Sequence, residues 1–236
     1  MKPFHFKQFS IHQDSCAMKV SLDACLFGAL CTVTGAKRIL DIGTGTGLLA
    51  LMAAQRCDAH IDAVELDNSA AVQAQQNVAN SPFLSQVKVT QYDIKQYKTH
   101  DLYDVIMCNP PFFSDHLKGP DALRNQARHN DGLSFSDLCL CIKKLLNTDG
   151  RAWILLPCSE TKGFMHFAQQ TGLQLEQQWL VSSRPHKAPH RSIFSLRHAT
   201  QELNQLPANT LHVHNETGPE YTSQFKSLLC DYYLKL

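Results

Sequence analysis

Two rhythms of apolar residues alternate along this chain. Short runs with strand-like apolar content occur at Lys37–Ile42, Ile61–Glu65, Val87–Gln91, Tyr103–Cys108 and Arg151–Leu156, the first reading as a buried strand. Between them lie longer stretches with helical spacing: Leu48–Gln55, Ala70–Ala79, a stretch opened by Ser134-Phe135-Ser136-Asp137 and running to Asn147, and Ser159–Thr171. Their ends are marked chemically. Ser134 with Asp137 three residues on forms a capping box, Asn68 or Ser69 is the expected cap of the second helix, and Gly172 stops the last one. The alternation predicts a doubly wound α/β sheet, mostly parallel, with helices on both faces. Leu173–Val181 and Ser192–Arg197 have no helix between them and are expected to pair antiparallel, as an edge hairpin. Outside this frame the pattern predicts a short strand within Phe6–Ile11, a helix over Ala17–Cys31, a strand over Leu211–His214 and an amphipathic helix over Glu220–Tyr233.

Length and composition fit one domain over residues 1–236, with 44% hydrophobic residues to fill its core. No apolar run reaches the roughly 18 residues of a membrane span, and Met1–Gln8 lacks the apolar stretch of a signal peptide. The nine cysteines are scattered without a C-x-x-C pair. They read as reduced core thiols of a cytoplasmic protein, not as a disulfide framework or a metal site, and no metal is expected. A net charge of +1 points to no particular partner. Local charge says more: Val181–Ala199 contains Arg184, Lys187, Arg191, Arg197 and three histidines without one acid. That is the footprint of either a solvated basic edge or a nucleic-acid contact.

The first chemical signal is Asp41-Ile42-Gly43-Thr44-Gly45-Thr46-Gly47, read as strand end, turn and helix start. In an open α/β sheet ligands bind at the carboxyl ends of the strands. Gly43, Gly45 and Gly47 let the backbone approach a ligand closely there. Glu65 ends the second strand 22 residues after Gly43, where a carboxylate can accept both hydroxyls of a ribose. A nicotinamide dinucleotide enzyme shares this geometry, but its fingerprint is G-x-G-x-x-G, and Leu48 stands where its third glycine would be. The G-x-G-x-G spacing with Asp41 before it resembles the first motif of class I methyltransferases. Asp93 ends the third strand where that family binds the cofactor's adenine amino group, with Ile94 contributing its backbone.

The second signal is Asn109-Pro110-Pro111-Phe112 at the end of the fourth strand. An asparagine amide oxygen accepts from an amino group. Pro110 has no N–H, and its carbonyl is a second acceptor on a stiff backbone. Phe112 offers a face for stacking on a planar base, worth about 1–3 kcal/mol. Two acceptors and a stacking ring suit an amino nitrogen whose lone pair is delocalised: orientation and charge stabilisation activate it without a strong base. The two signals together predict methyl transfer from S-adenosylmethionine to nitrogen.

Further matches run over nearly the whole chain: Phe6-Lys7-Gln8-Phe9, Ala17-Met18-Lys19-Val20, Gly47–Met52, Ile61–Leu66, Ser81-Pro82, Arg124–Arg128 and Tyr221–Tyr233. On these residues the chain resembles the bacterial adenine-N6 methyltransferases that modify valine tRNA at adenosine 37, beside the anticodon. The resemblance implies a Rossmann-like sheet of the class I methyltransferase type. It implies a cofactor site of Asp41, Gly43, Thr44, Gly45, Gly47, Glu65, Leu66, Asp93, Ile94 and Asn109, and catalysis by Asn109, Pro110, Pro111 and Phe112. That family typically has Tyr at the last motif position; with Phe112 the stacking face survives and the hydroxyl is lost.

Residues 1–35 are then expected to cover the cofactor pocket. Residues 113–133, too long for a passive connection, are expected to form a substrate loop. The expected RNA contacts are Lys118, Arg124, Arg128 and His129 in that loop, and Arg184, Lys187 and Arg191 between the late strands. A monomer acting on tRNA is expected. The alternatives with the same chemistry are glutamine-N5 methylation of a translation factor and adenine-N6 methylation of rRNA or DNA. A non-catalytic RNA-binding module is a third class, which intact motifs at both sites argue against.

Overall fold

The computed structural model describes residues 2–16, 18–110, 132–199 and 207–236. Its centre is an eight-stranded sheet of order β10-β8-β9-β7-β6-β3-β4-β5. The strands are β3 (Arg38–Ile42), β4 (His60–Glu65), β5 (Val87–Gln91), β6 (Tyr103–Cys108), β7 (Leu146–Pro157), β8 (Leu173–Ser182), β9 (Arg191–His198) and β10 (Asn209–His212). From β5 to β7 every neighbouring pair is parallel. The expected antiparallel hairpin is present: β9 runs against both β7 and β8, and β10 adds parallel to β8 outside it.

The strand side chains alternate between two cores, as a pleat requires. Ile39, Val105, Met107, Trp153 and Leu155 face the core on one side of the sheet. Leu40, Ile42, Ile106, Cys108, Ile154 and Leu156 face the other. The first core is covered by α1 (Leu22–Leu30), α2 (Leu48–Ala54), α3 (Asn68–Ala79) and α6 (Ser223–Leu229). The second is covered by α4 (Phe135–Leu145) and α5 (Cys158–Gln170). All seven residues of α2 are buried, because the helix lies between the sheet and the chain's two ends. Those ends meet over it: Tyr232 donates from its hydroxyl to the Met52 carbonyl at 3.0 Å, and Lys7 N donates to the Tyr232 carbonyl at 2.8 Å.

Several boundaries differ from the sequence reading. The first helix starts at Leu22, not Ala17, because the Ser21 hydroxyl accepts from Ala24 N and caps it there. The strand expected within Phe6–Ile11 is a hairpin of two short strands, β1 (Phe4–His5) and β2 (Ser10–Ile11). The cap of α3 is Asp67, not Asn68 or Ser69; its Oδ1 accepts from Ala70 N at 2.8 Å. Asp67 wins among three capping residues because Glu65 Oε1 already holds its amide in extended backbone. Ser134 caps α4 as expected, accepting from Asp137 N. That helix ends at Leu145, not Asn147, since Leu146 leaves it to pair with Tyr103 and open β7. The final helix is confined to Ser223–Leu229 by its Thr222 cap.

Candidate active site

Sheet register brings the site together. Ile42 is opposite Val64 on one side and Cys108 on the other, and Glu65 is opposite Gln91. Four neighbouring parallel strands therefore end on one line. The chain reverses its direction of travel across the sheet between β3 and β6, which opens the crevice typical of a switch point. A cavity of about 460 Å³ lies there, within the range of small-molecule sites. Its walls include Ile42, Gly43, Val64, Glu65, Leu66, Tyr92, Asp93, Ile94, Cys108 and Pro110. Gly132 and Leu133, the returning end of the long loop, also line it.

The turn above β3 contains three glycines in left-handed backbone, Gly43 at φ 69°, Gly45 at φ 56° and Gly47 at φ 81°. A side chain is strained at each of these positions. Gly43 N and Thr44 N both donate to the Val64 carbonyl, at 2.8 and 3.1 Å, anchoring the turn to β4. Gly45 N donates to Glu65 Oε2 at 2.8 Å, and Asp67 N to Glu65 Oε1 at 3.0 Å. The carboxylate is thus fixed in orientation at the cavity wall, with further lone pairs to offer.

Asp41 is fully buried beneath the turn and accepts from the Thr44 hydroxyl at 2.5 Å. Burial pushes its carboxyl up to about 7; Glu65's charge pushes the same way, while the Thr44 hydroxyl and the Ala50 amide oppose. Asp93 Oδ1 accepts from Lys95 N at 2.9 Å, which turns the chain so that Ile94 faces the cavity.

Asn109 follows β6 between Cys108 and Pro110, both on the cavity wall. Its Oδ1 is buried and has no hydrogen-bond partner among the described residues. A lone buried acceptor costs about 1–3 kcal/mol, so one at a cavity edge marks a place where a ligand donates.

Of the expected cofactor residues, Gly43, Glu65, Leu66, Asp93 and Ile94 line the cavity, while Asp41, Thr44 and Gly45 act on it through the bonds above. Gly47 faces α3, where a Cβ would sit 3.5 Å from the Ala74 Cβ. Pro111, Phe112, Lys118, Arg124, Arg128 and His129 lie outside the described residues. The turn between β8 and β9 emerges at the same sheet edge as Asn109, because β8 runs in the direction of β6 and β7. Lys187 there is exposed. Arg184 and Arg191 carry internal bonds: Arg184 donates to the Asn215 and Gly218 carbonyls at 2.7 and 2.8 Å, and Arg191 pairs with Asp23 of α1 at 3.0 Å. Sequence reasoning missed Tyr92 and Asp67 as wall residues; their place beside Asp93 and Glu65, at strand ends, is the signal that marks them.

A hydrophobic cleft with a fixed carboxylate fits a nucleoside cofactor: apolar walls for a flat base, and Glu65 for hydroxyls. Among the described residues no cluster of His, Cys, Asp and Glu can hold a metal ion, and no helix is long and apolar enough to cross a membrane.

Comparison with known proteins agrees with this geometry. Residues 24–129 match the family described as the Methyltransferase small domain. A tRNA1(Val) (adenine(37)-N6)-methyltransferase from Bacteroides fragilis is 40% identical, with the match covering 99% of this chain and 98% of that one. A protein of the same name from Pseudoalteromonas translucida is 39% identical over the full length of both chains. Among solved structures, a predicted O-methyltransferase from Agrobacterium tumefaciens superposes with a TM-score of 0.67 at 16% identity, covering 89% of this chain and 96% of that chain. At that identity it speaks for the fold alone.

Proposed function

The chain belongs to the tRNA1(Val) (adenine(37)-N6)-methyltransferase family, and from that premise we propose how its residues methylate N6 of adenosine 37 in valine tRNA. S-adenosylmethionine, when bound, supplies an electrophilic methyl group. Glu65 takes the ribose hydroxyls, Asp93 and Ile94 take the adenine edge, and Leu66 packs against the base. Asp41, Thr44, Gly45 and Gly47 shape the turn that holds the rest.

The observation that carries the acceptor side is the buried, unpartnered Oδ1 of Asn109 beside Pro110. That oxygen and the Pro110 carbonyl accept the two hydrogens of the adenine amino group. Held so, the nitrogen lone pair is turned from the ring toward the cofactor side. The same acceptors stabilise the positive charge that develops on nitrogen, after which one proton is lost. Pro111 stiffens the motif, and Phe112 stacks on the base. An anticodon-loop adenosine is partly single-stranded, so splaying it into the pocket costs less than extruding a duplex base.

Residues 1–35 serve the cofactor side through the segment tied to the glycine-rich turn, and the stretch 113–133 serves the substrate. Lys118, Arg124, Arg128 and His129, with Lys187 and its neighbours Arg184 and Arg191, meet the RNA backbone. All these residues come from one chain, so a monomer suffices, and its substrate puts it in the cytoplasm. The test is incubation with radiolabelled S-adenosylmethionine and total tRNA from a strain lacking the gene. Label in N6-methyladenosine at position 37 of valine tRNA is expected; label at another nucleoside, or in protein only, overturns the reading.

A further inference from the structure

We propose that Asn77 is a positioning residue for the cofactor: its side chain ties the N-terminal segment at His12 to the glycine-rich turn at Thr46. This inference rests on the cofactor site read above. Asn77 belongs to α3, is not among the residues that line the cavity, and is 1% exposed.

Its amide is used on both sides. Oδ1 accepts from His12 N at 2.9 Å, and Nδ2 donates to the His12 carbonyl at 2.8 Å and to the Thr46 carbonyl at 2.9 Å. The pair of bonds to His12 copies the exchange between opposed residues of an antiparallel ladder. It satisfies the backbone of β2's extension where no strand is available. Only a carboxamide supplies an acceptor and two donors from one short side chain.

The consequence lies in where the two partners are. Thr46 sits between Gly45, whose amide holds Glu65, and Gly47, which opens α2. Fixing the Thr46 carbonyl fixes the plane of the Thr46–Gly47 peptide, which leads into the last left-handed glycine of the turn. On the other side, Gln13 follows His12 and is buried; its Oε1 accepts from Val20 N at 2.7 Å. Cys16 is also buried, and burial pushes its thiol pKa up, with the charges of Glu65 and Asp67 adding to the rise and Lys19 opposing it. The segment leaving His12 is thus within electrostatic reach of the residue assigned to the ribose, and its geometric tie to the site is the bond from Asn77 to the Thr46 carbonyl. Through Asn77, the shape of the turn and the seating of this segment become one unit, and cofactor binding orders both together.

The test compares the full-length parent, Asn77→Ala and His12→Pro. The second variant removes the residue 12 N–H, together with an exposed imidazole, and fixes φ at a position whose predecessor is a strand residue, so it spares the core. Three quantities are read: KM for S-adenosylmethionine, KM for tRNA, and amide exchange of the 10–16 peptide with and without cofactor. In the parent, cofactor is expected to slow exchange across 10–16. In Asn77→Ala, KM for S-adenosylmethionine rises about tenfold, KM for tRNA stays within twofold, and the cofactor no longer slows exchange. His12→Pro moves in the same direction by a smaller factor. A parent that binds no S-adenosylmethionine overturns the cofactor reading, and this inference with it. A parent that binds, with both variants matching it in cofactor KM and in exchange response, overturns this inference alone and leaves Asn77 a core amide.

Discussion

Glu65 Oε2 accepts from the Gly45 amide at 2.8 Å, across 20 residues of sequence. This bond joins the end of one strand to the turn above its neighbour, and it aims the carboxylate before any ligand arrives. Glu65→Ala removes that bond and, in the proposed site, the ribose contacts as well. Affinity for S-adenosylmethionine, measured by calorimetry, is expected to fall about 10- to 100-fold. Glu65→Gln keeps an acceptor and loses the charge, so its loss should be smaller. Equal affinity in the parent and Glu65→Ala would take Glu65 out of the site.

In the proposed reaction Asn109 acts on the other reactant. Its unpartnered Oδ1 matters most when charge develops on the amino nitrogen, so the lost contact appears in kcat. Asn109→Ala is expected to lower kcat by about 100-fold or more and to leave cofactor affinity nearly intact. Phe112→Ala should slow the reaction by removing the stacking face, while Phe112→Tyr should be tolerated. Single-turnover rates with saturating tRNA check this; a parent-like Asn109→Ala would move the acceptor site elsewhere.

Asp41 makes a pH prediction. Burial raises its carboxyl from the ordinary 3.8 to about 7. Between those values the native state holds a proton that the unfolded chain has released. Asp41's contribution to stability is therefore greatest at acid pH and declines as pH climbs through the window, by about 1.4 kcal/mol per unit at most. Asp41→Asn has no such proton. Urea melts from pH 4 to pH 8 should show the stability difference shifting toward the variant as pH rises. A constant difference would show that Asp41 titrates normally in the folded protein.

The basic turn separates into residues of different kinds. Lys187 is exposed, whereas Arg184 holds three carbonyls of the 215–218 loop and Arg191 pairs with Asp23. If the turn meets phosphate, Lys187→Ala should reduce the slope of log affinity for tRNA against log salt by about one unit and leave folding unchanged. Arg184→Ala should add a loss of protection in residues 215–218 by amide exchange. An unchanged slope in Lys187→Ala would make this edge a solvated surface.

Much of the architecture was legible in sequence because the signals are local. The apolar runs that became β3 and β6 are buried almost throughout and need no partner's identity to be recognised. The left-handed turn is legible because three alternating glycines after a strand have few other uses. Element ends were less legible. Asp67, Asn68 and Ser69 all favour a cap, and only the bond from Asp67 N to Glu65 selects among them. Leu146 continues the helical pattern of α4, yet pairing with Tyr103 takes it into the sheet.

The sequence by itself determined the doubly wound fold, the two motifs at the strand ends and the family, because spacing and residue type suffice for these. Tertiary structure decided which side chains are available. Arg184, Lys187 and Arg191 read alike as charges, but carbonyls of residues 215 and 218 and a carboxylate at residue 23, all remote in sequence, engage two of them. Asn77 reads as one more polar position on a helix. It acquires a role only because folding places His12 and Thr46 within hydrogen-bonding distance of one amide. Hydrogen bonds and ion pairs act over about 3 Å of space, and sequence separation does not encode that distance.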